Sequence, residues 1–292
     1  MNNERVIQAL RLLFAVLGRL SPRLAGRLAC KLMYTPQRFK RPWREQEWAA
    51  SAVASTLNCG LAAWTWGQPE HPAVLLVHGW SGRGTQMGAF VTPLLEQGRR
   101  VIAIDGDAHG DSPGTRTNPV AFAAKLTAVG DELGPLEAVI AHSFGAATTT
   151  IAISDGLRVE KMVYIAGPAE YRQVLETVGR RLFQLPPKAF DHYVDRIEAE
   201  LQGRLDDINI PEIVCKLTVP ALIMHAMNDD EVPFGEGQKV ANAWPGSEMA
   251  SFKDLGHTRI LWAPPSVNRC VEFIVTPASQ PAVPIADDNY RR

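Results

Sequence analysis

Five short apolar runs, Ala73–Val77, Arg100–Ile104, Ala138–Ala141, Met162–Ala166 and Ala221–His225, alternate along the chain with segments of helical spacing. The runs read as strands buried on both faces, and their alternation with helices indicates βαβ units and a mostly parallel central sheet flanked by helices. Ahead of them, Leu61–Trp66 is a β-like run ended by Gly67 and Pro69, which suits an antiparallel start to the same sheet.

The rest of the chain is organised around that alternation. Its 292 residues fit one main α/β domain with appendages. The expected division is a catalytic domain over residues 51–167 and 216–276, interrupted by an insertion over residues 168–215. That insertion is too long for an ordinary connection. The spacing of Val174, Val178 and Phe183 and of Tyr193, Ile197 and Leu201 makes it a helical cap or lid.

Residues 1–50 form a basic amphipathic segment, in which Val6, Leu10, Leu13, Leu17 and Leu20 recur at helical spacing beside Arg5, Arg11 and Arg19. Pro22 allows a restart after Ser21, and Leu24, Leu28 and Leu32 with Arg23, Arg27 and Lys31 suggest a second helix. Packing on the catalytic domain or on a partner and docking on a membrane surface are both open readings of these helices. Residues 277–292, with Pro281, Pro284 and an Asp-Asp pair, are expected to be a flexible tail.

The net charge of −1 conceals an asymmetry, because residues 1–44 hold ten Lys or Arg against Glu4 alone. Such a surplus suits anionic lipid, while no zinc-finger spacing or RRM signature supports nucleic acid. Cys30, Cys59, Cys215 and Cys270 are scattered and form no C-x-x-C pair, which fits reduced thiols and a cytoplasmic setting, with peripheral contact at the inner face of a membrane as the further option. Arg11 and Arg19 interrupt the early apolar run before any small-x-small cleavage site, so a secretory signal is not expected. Oligomeric state is not legible.

The chemistry-bearing residues fall at the ends of the apolar runs. Leu136–Ala141 leads directly into His142-Ser143-Phe144-Gly145 and then into helix-compatible residues, so Ser143 sits on a tight strand-to-helix turn with small neighbours. Val74–Val77 enters His78-Gly79-Trp80, and Ile104 enters Asp105-Gly106-Asp107-Ala108-His109-Gly110-Asp111-Ser112. The alternating Asp105, Asp107, His109 and Asp111 superficially suggest a metal site but lack a decisive ligand spacing. Farther on, Asp229-Asp230-Glu231-Val232-Pro233 follows the run ending at His225, and Gly256-His257 lies in a later loop.

Taken together these segments resemble the α/β-hydrolase superfamily, in its serine esterase or lipase branch, over roughly residues 60–275. The turn at Ser143 is similar to the nucleophile elbow G-x-S-x-G, with Ala141 in place of the first glycine. The resemblance implies Ser143 as nucleophile, His257 as base and Asp229 as acid, with Asp230 as the alternative within the acidic pair. It also implies the backbone N–H groups of Trp80 and Phe144 as oxyanion donors. The order Ser143, Asp229, His257 is that of the superfamily. His78, His109 and Asp111 read as loop-shaping, His71, His192 and His225 lack a comparable loop, and His142 reads as the elbow's variable residue.

The implied activity is hydrolysis of a carboxylic ester or thioester through an acyl-serine, with no metal or organic cofactor. An acyltransferase using the same residues and a non-catalytic ligand-binding protein of the same fold are the alternatives.

Overall fold

The computed structural model describes residues 3–277, so most of the expected tail, residues 278–292, lies outside the described residues. Eight strands form one sheet: β1 (Val53–Thr56), β2 (Ala62–Trp66), β3 (Ala73–Val77), β4 (Arg100–Ile104), β5 (Leu136–His142), β6 (Val159–Ile165), β7 (Ala221–Ala226) and β8 (Glu248–Phe252). Their order is β1-β2-β4-β3-β5-β6-β7-β8. β1 and β2 pair antiparallel, β2 pairs antiparallel with β4, and every later pairing is parallel.

Twelve α-helices accompany the strands among the described residues: α1 (Asn3–Leu20), α2 (Pro22–Met33), α3 (Trp43–Ser51), α4 (Val91–Glu96), α5 (Pro119–Leu133), α6 (Phe144–Ser154), α7 (Tyr171–Glu176), α8 (Pro187–Leu201), α9 (Ile210–Val214), α10 (Phe234–Ala243), α11 (Gly256–Arg259) and α12 (Pro264–Val275). The apolar runs are buried throughout because both faces of the sheet are covered. Leu75, Val77, Val139 and Ala141 point into a core shared with α5 and α6, whereas Val74, Leu76, Ala138 and Ile140 point into one shared with α4 and α12. Period-two alternation within continuously apolar strands therefore feeds two cores.

The insertion after β6 runs through α7, a π-helical continuation at Thr177–Leu182, α8 and α9. A bridge between Glu170 and Asn209 ties its two ends together. α8 buries Ala189, Phe190, Tyr193, Ile197 and Leu201, the one-sided spacing expected of a helix packed along one stripe.

The N-terminal helices join this layer. A Cβ on Gly26 would stand 2.7 Å from the backbone of His192 and Tyr193, so α2 crosses α8 with backbones in near contact, which a larger residue would prevent. Phe14 of α1 stacks on Phe183 with ring centroids 5.0 Å apart, and Arg11 donates to the carbonyls of Arg181 and Leu182. The first two helices and the insertion thus form one covering layer over the carboxyl ends of the strands. No helix among the described residues is long and apolar enough to cross a membrane.

Candidate active site

β5 delivers Ser143 to the rim of the sheet. Its backbone takes φ 52° and ψ −120°, a conformation unfavourable for a residue with a side chain, and the amide of Ser143 is tied to the carbonyl of Ile165 at 2.8 Å. The strain is held by close packing on either side. A Cβ on Gly145 would lie 2.3 Å from the carbonyl oxygen of His78, so only glycine lets α6 start this close to β3. Ala141, in the place of the usual first glycine, is fully buried in the sheet, where its methyl group is accommodated by the core.

Three loops converge on that serine. His257 Nε2 lies 3.0 Å from Ser143 Oγ, and His257 Nδ1 lies 2.7 Å from Asp229 Oδ2. Asp229 Oδ1 accepts the amides of Glu231 and Val232 at 2.9 and 2.8 Å. Burial alone would raise the Asp229 carboxyl. The hydrogen bonds from His225 and His257, the histidine charge and the Val232 amide outweigh it and hold the group well below the usual carboxylate range. Asp229 thus stays an anion facing the ring, while Asp230 is exposed. The structure brings Ser143, Asp229 and His257 into one hydrogen-bonded row and leaves Asp230 outside it.

The loop after β3 supplies the other wall. Gly79 packs on Ser143, its missing Cβ falling 3.0 Å from the serine Cβ. Trp80 and Phe144 meet edge to face at 5.0 Å. Among the described residues, neither the Trp80 nor the Phe144 amide has a protein acceptor. Phe144 also opens α6, whose N-terminus favours negative charge beside Ser143.

The remaining polar residues hold these loops in place. His78 donates from Nδ1 to the carbonyl of Gly79 and accepts the Gly106 amide on Nε2, so both ring nitrogens are used in one tautomer. Asp105 accepts the amides of Gly84 and Asp111, one on each oxygen, and burial pushes its carboxyl up to about 6 against the pull of those two bonds. Asp111 pairs with Arg41, and His109 turns its ring toward Trp80. Asp105, Asp111 and His109 are thereby engaged in building a loop. The N-terminal segment contributes to the same loop: Ser81 Oγ accepts the Gln37 amide, and Glu45 of α3 pairs with Arg83 through two short hydrogen bonds in a buried setting.

Two residues that the sequence left without a role belong to the site. His142, read as the elbow's variable residue, places its Nε2 2.9 Å from the carbonyl oxygen of His257. His225, set aside for want of a loop, places its Nε2 2.9 Å from the carbonyl of Val232 and 3.4 Å from Asp229 Oδ2. Asn228 adds a further tie, accepting the Gly256 amide at 2.9 Å and joining the acid loop to the histidine loop. Nothing in the spacing signals the contacts of His142 and Asn228, which join loops distant in sequence, while His225 reaches Asp229 and Val232 only because the loop after β7 turns back on the strand.

A cavity of about 760 Å³ opens onto Ser143. Its lining is mainly apolar and comes from three parts of the chain: Ile7 and Leu10 of α1, Tyr171 and Phe183 of the insertion, and Phe144 beside the serine.

Residues 74–269 match the family described as the alpha/beta hydrolase family. The chain belongs to that family. Solved structures give the same architecture. An esterase from Exiguobacterium antarcticum is 15% identical, with 77% of this chain and 100% of that one covered at a TM-score of 0.59. The thioesterase domain from the curacin biosynthetic pathway is 19% identical, with 76% and 98% covered and a TM-score of 0.57. A proline iminopeptidase from Mycobacterium smegmatis is 20% identical, with 76% and 97% covered and a TM-score of 0.56. No curated protein matches the chain. At these identities the likeness is one of fold. Membership of the family supports a hydrolase in general terms and leaves the bond it cleaves to the site itself.

Proposed function

We propose that this alpha/beta hydrolase cleaves a carboxylic ester or thioester with an apolar acyl group, through an acyl intermediate on Ser143. The observation that carries this reading is the row Ser143 Oγ, His257 and Asp229, with spacings of 3.0 and 2.7 Å, whose serine lines an apolar cavity.

In this reading His257 Nε2 takes the Ser143 proton as Oγ attacks the carbonyl carbon, and Asp229 holds the ring and stabilises its cationic form. The oxygen that gains negative charge is received by the amides of Trp80 and Phe144. Collapse of the tetrahedral intermediate breaks the bond to the alcohol or thiol, which leaves with the proton from His257. Water, deprotonated by the same ring, then attacks the acyl-serine and releases the carboxylic acid. The chemistry requires no group beyond the chain and water.

The apolar lining favours an acyl chain over a polar substrate. A cavity of this size is in the range that encloses a whole small ligand. A series of p-nitrophenyl esters and of thioesters, from acetyl to decanoyl, tests the assignment. Each methylene taken into the cavity is worth at most about 0.8 kcal/mol, so kcat/KM should rise by up to roughly fourfold per methylene until the cavity is full. A rate that is flat with chain length, or turnover retained in Ser143→Ala, would refute it. Addition of a competing alcohol separates hydrolysis from acyl transfer, since only a transferase diverts most of the acyl group.

A further inference from the structure

α1 has two faces with opposite fates. Ile7 and Leu10 line the cavity and Phe14 is buried on Phe183. The outward face nevertheless carries Leu12, Leu13, Val16 and Leu20, exposed by 68, 44, 52 and 80%, and Leu24 at the start of α2 is exposed by 52%. Leu12, Val16 and Leu20 follow one another at i, i+4, i+8, so they form a continuous ridge rather than scattered surface residues. Exposed Arg5, Arg19, Arg23, Arg27 and Lys31 accompany the ridge, and none of them is ion-paired among the described residues.

We infer that this face docks on an anionic lipid bilayer, the leucines entering the interface and the arginines meeting the headgroups. An apolar ridge accompanied by unpaired cations matches such a surface on both counts. A second copy of the chain matches it on one only, because a twofold contact would set the same arginines against each other. Nucleic acid would satisfy the cations and leave the leucines in water. The inner side of the same helix is a wall of the cavity, so docking would place that wall against the lipid. The docking itself does not depend on what the cavity cleaves.

The test is sedimentation of the full chain with vesicles of phosphatidylglycerol and phosphatidylcholine, beside vesicles of phosphatidylcholine alone. The expected result is pelleting with the anionic vesicles only, weakened when salt is raised from about 0.1 to about 1 M and the Debye length falls from ~10 to ~3 Å. Binding should fall by more than roughly tenfold both in Leu12→Ser/Val16→Ser/Leu20→Ser and in Arg5→Gln/Arg19→Gln/Arg23→Gln. Far-UV circular dichroism and turnover of a short soluble ester, unchanged in both variants, show that the fold and the site persist. The inference is overturned by three results: no pelleting of the wild type; pelleting unchanged in the leucine variant; or a dimer in solution that the leucine variant abolishes.

Discussion

The ring of His142 meets the backbone carbonyl of His257 across 2.9 Å, joining the turn that bears the candidate nucleophile to the loop that bears the candidate base. A carbonyl oxygen is an acceptor, so His142 Nε2 must carry the proton and the ring must stay neutral or become doubly protonated. This bond fixes where the His257 loop stands relative to Ser143. His142→Ala is therefore expected to lower kcat by about a hundredfold, the scale of a small misplacement of reacting groups, while Ser143 remains labelled by an acylating probe. Unchanged kcat would show that the loop is held without it.

The same residue makes a prediction about pH. Burial, and next the charge of His257, push the His142 imidazole down to about 3; burial pushes His109 down to about 4 and His78 well below the ordinary range. The unfolded chain takes up these protons near pH 6.5 and the folded chain does not, so the stability they contribute is complete above that pH and is lost as pH falls below it. Each such histidine contributes a slope of about 1.4 kcal/mol per pH unit. Urea unfolding between about pH 6 and pH 4 should show His142→Gln falling less steeply than wild type by one such slope. Parallel lines would contradict the neutral, buried state of His142.

The acidic pair offers a direct contrast. Asp229 faces the ring of His257 and Asp230 is exposed. Asp229→Asn offers the ring an amide that can favour the wrong tautomer, and kcat should drop by roughly 10⁴-fold. Asp230→Asn should leave kcat unchanged. Steady-state kinetics on the two variants decides between them, and a severe loss in Asp230→Asn would reverse the assignment.

The pair of Glu45 and Arg83 links the N-terminal segment to the loop bearing Trp80, with each side chain only 10% exposed. Glu45→Ala strands a buried guanidinium and should cost about 3–5 kcal/mol in chemical denaturation. Replacing both residues by leucine removes the charge together with its partner and should cost much less. Equal losses in the single and double variants would mean that the pair is not what holds the loop.

Much of the fold was legible because its strands are buried on both faces: Ala73–Val77 and Arg100–Ile104 announce themselves by composition alone. The edge strand β1 did not, since all four of its residues are exposed and carry no apolar pattern. Ser143 and Asp229 were legible as candidates because each follows a strand buried on both faces, whereas His257 was placed by its Gly256-His257 loop and by the order of the three, since β8 ahead of it is largely exposed. His142 and Asn228 were not, because their roles arise from contacts between loops that meet only in the folded chain, and His225 was not, because its contacts depend on how the loop after β7 turns back on the strand. The joining of α1 and α2 to the insertion was equally hidden. Gly26 in a basic helix signals nothing until α8 is found lying against it.

The central claim is that Ser143 is a nucleophile activated by His257, and covalent labelling tests it most directly. Intact mass after treatment with a fluorophosphonate, followed by peptide mapping, should give a single adduct on Ser143, absent from Ser143→Ala and formed far more slowly in His257→Ala. A folded wild-type protein that takes up no label, or one labelled equally in Ser143→Ala, would contradict the account.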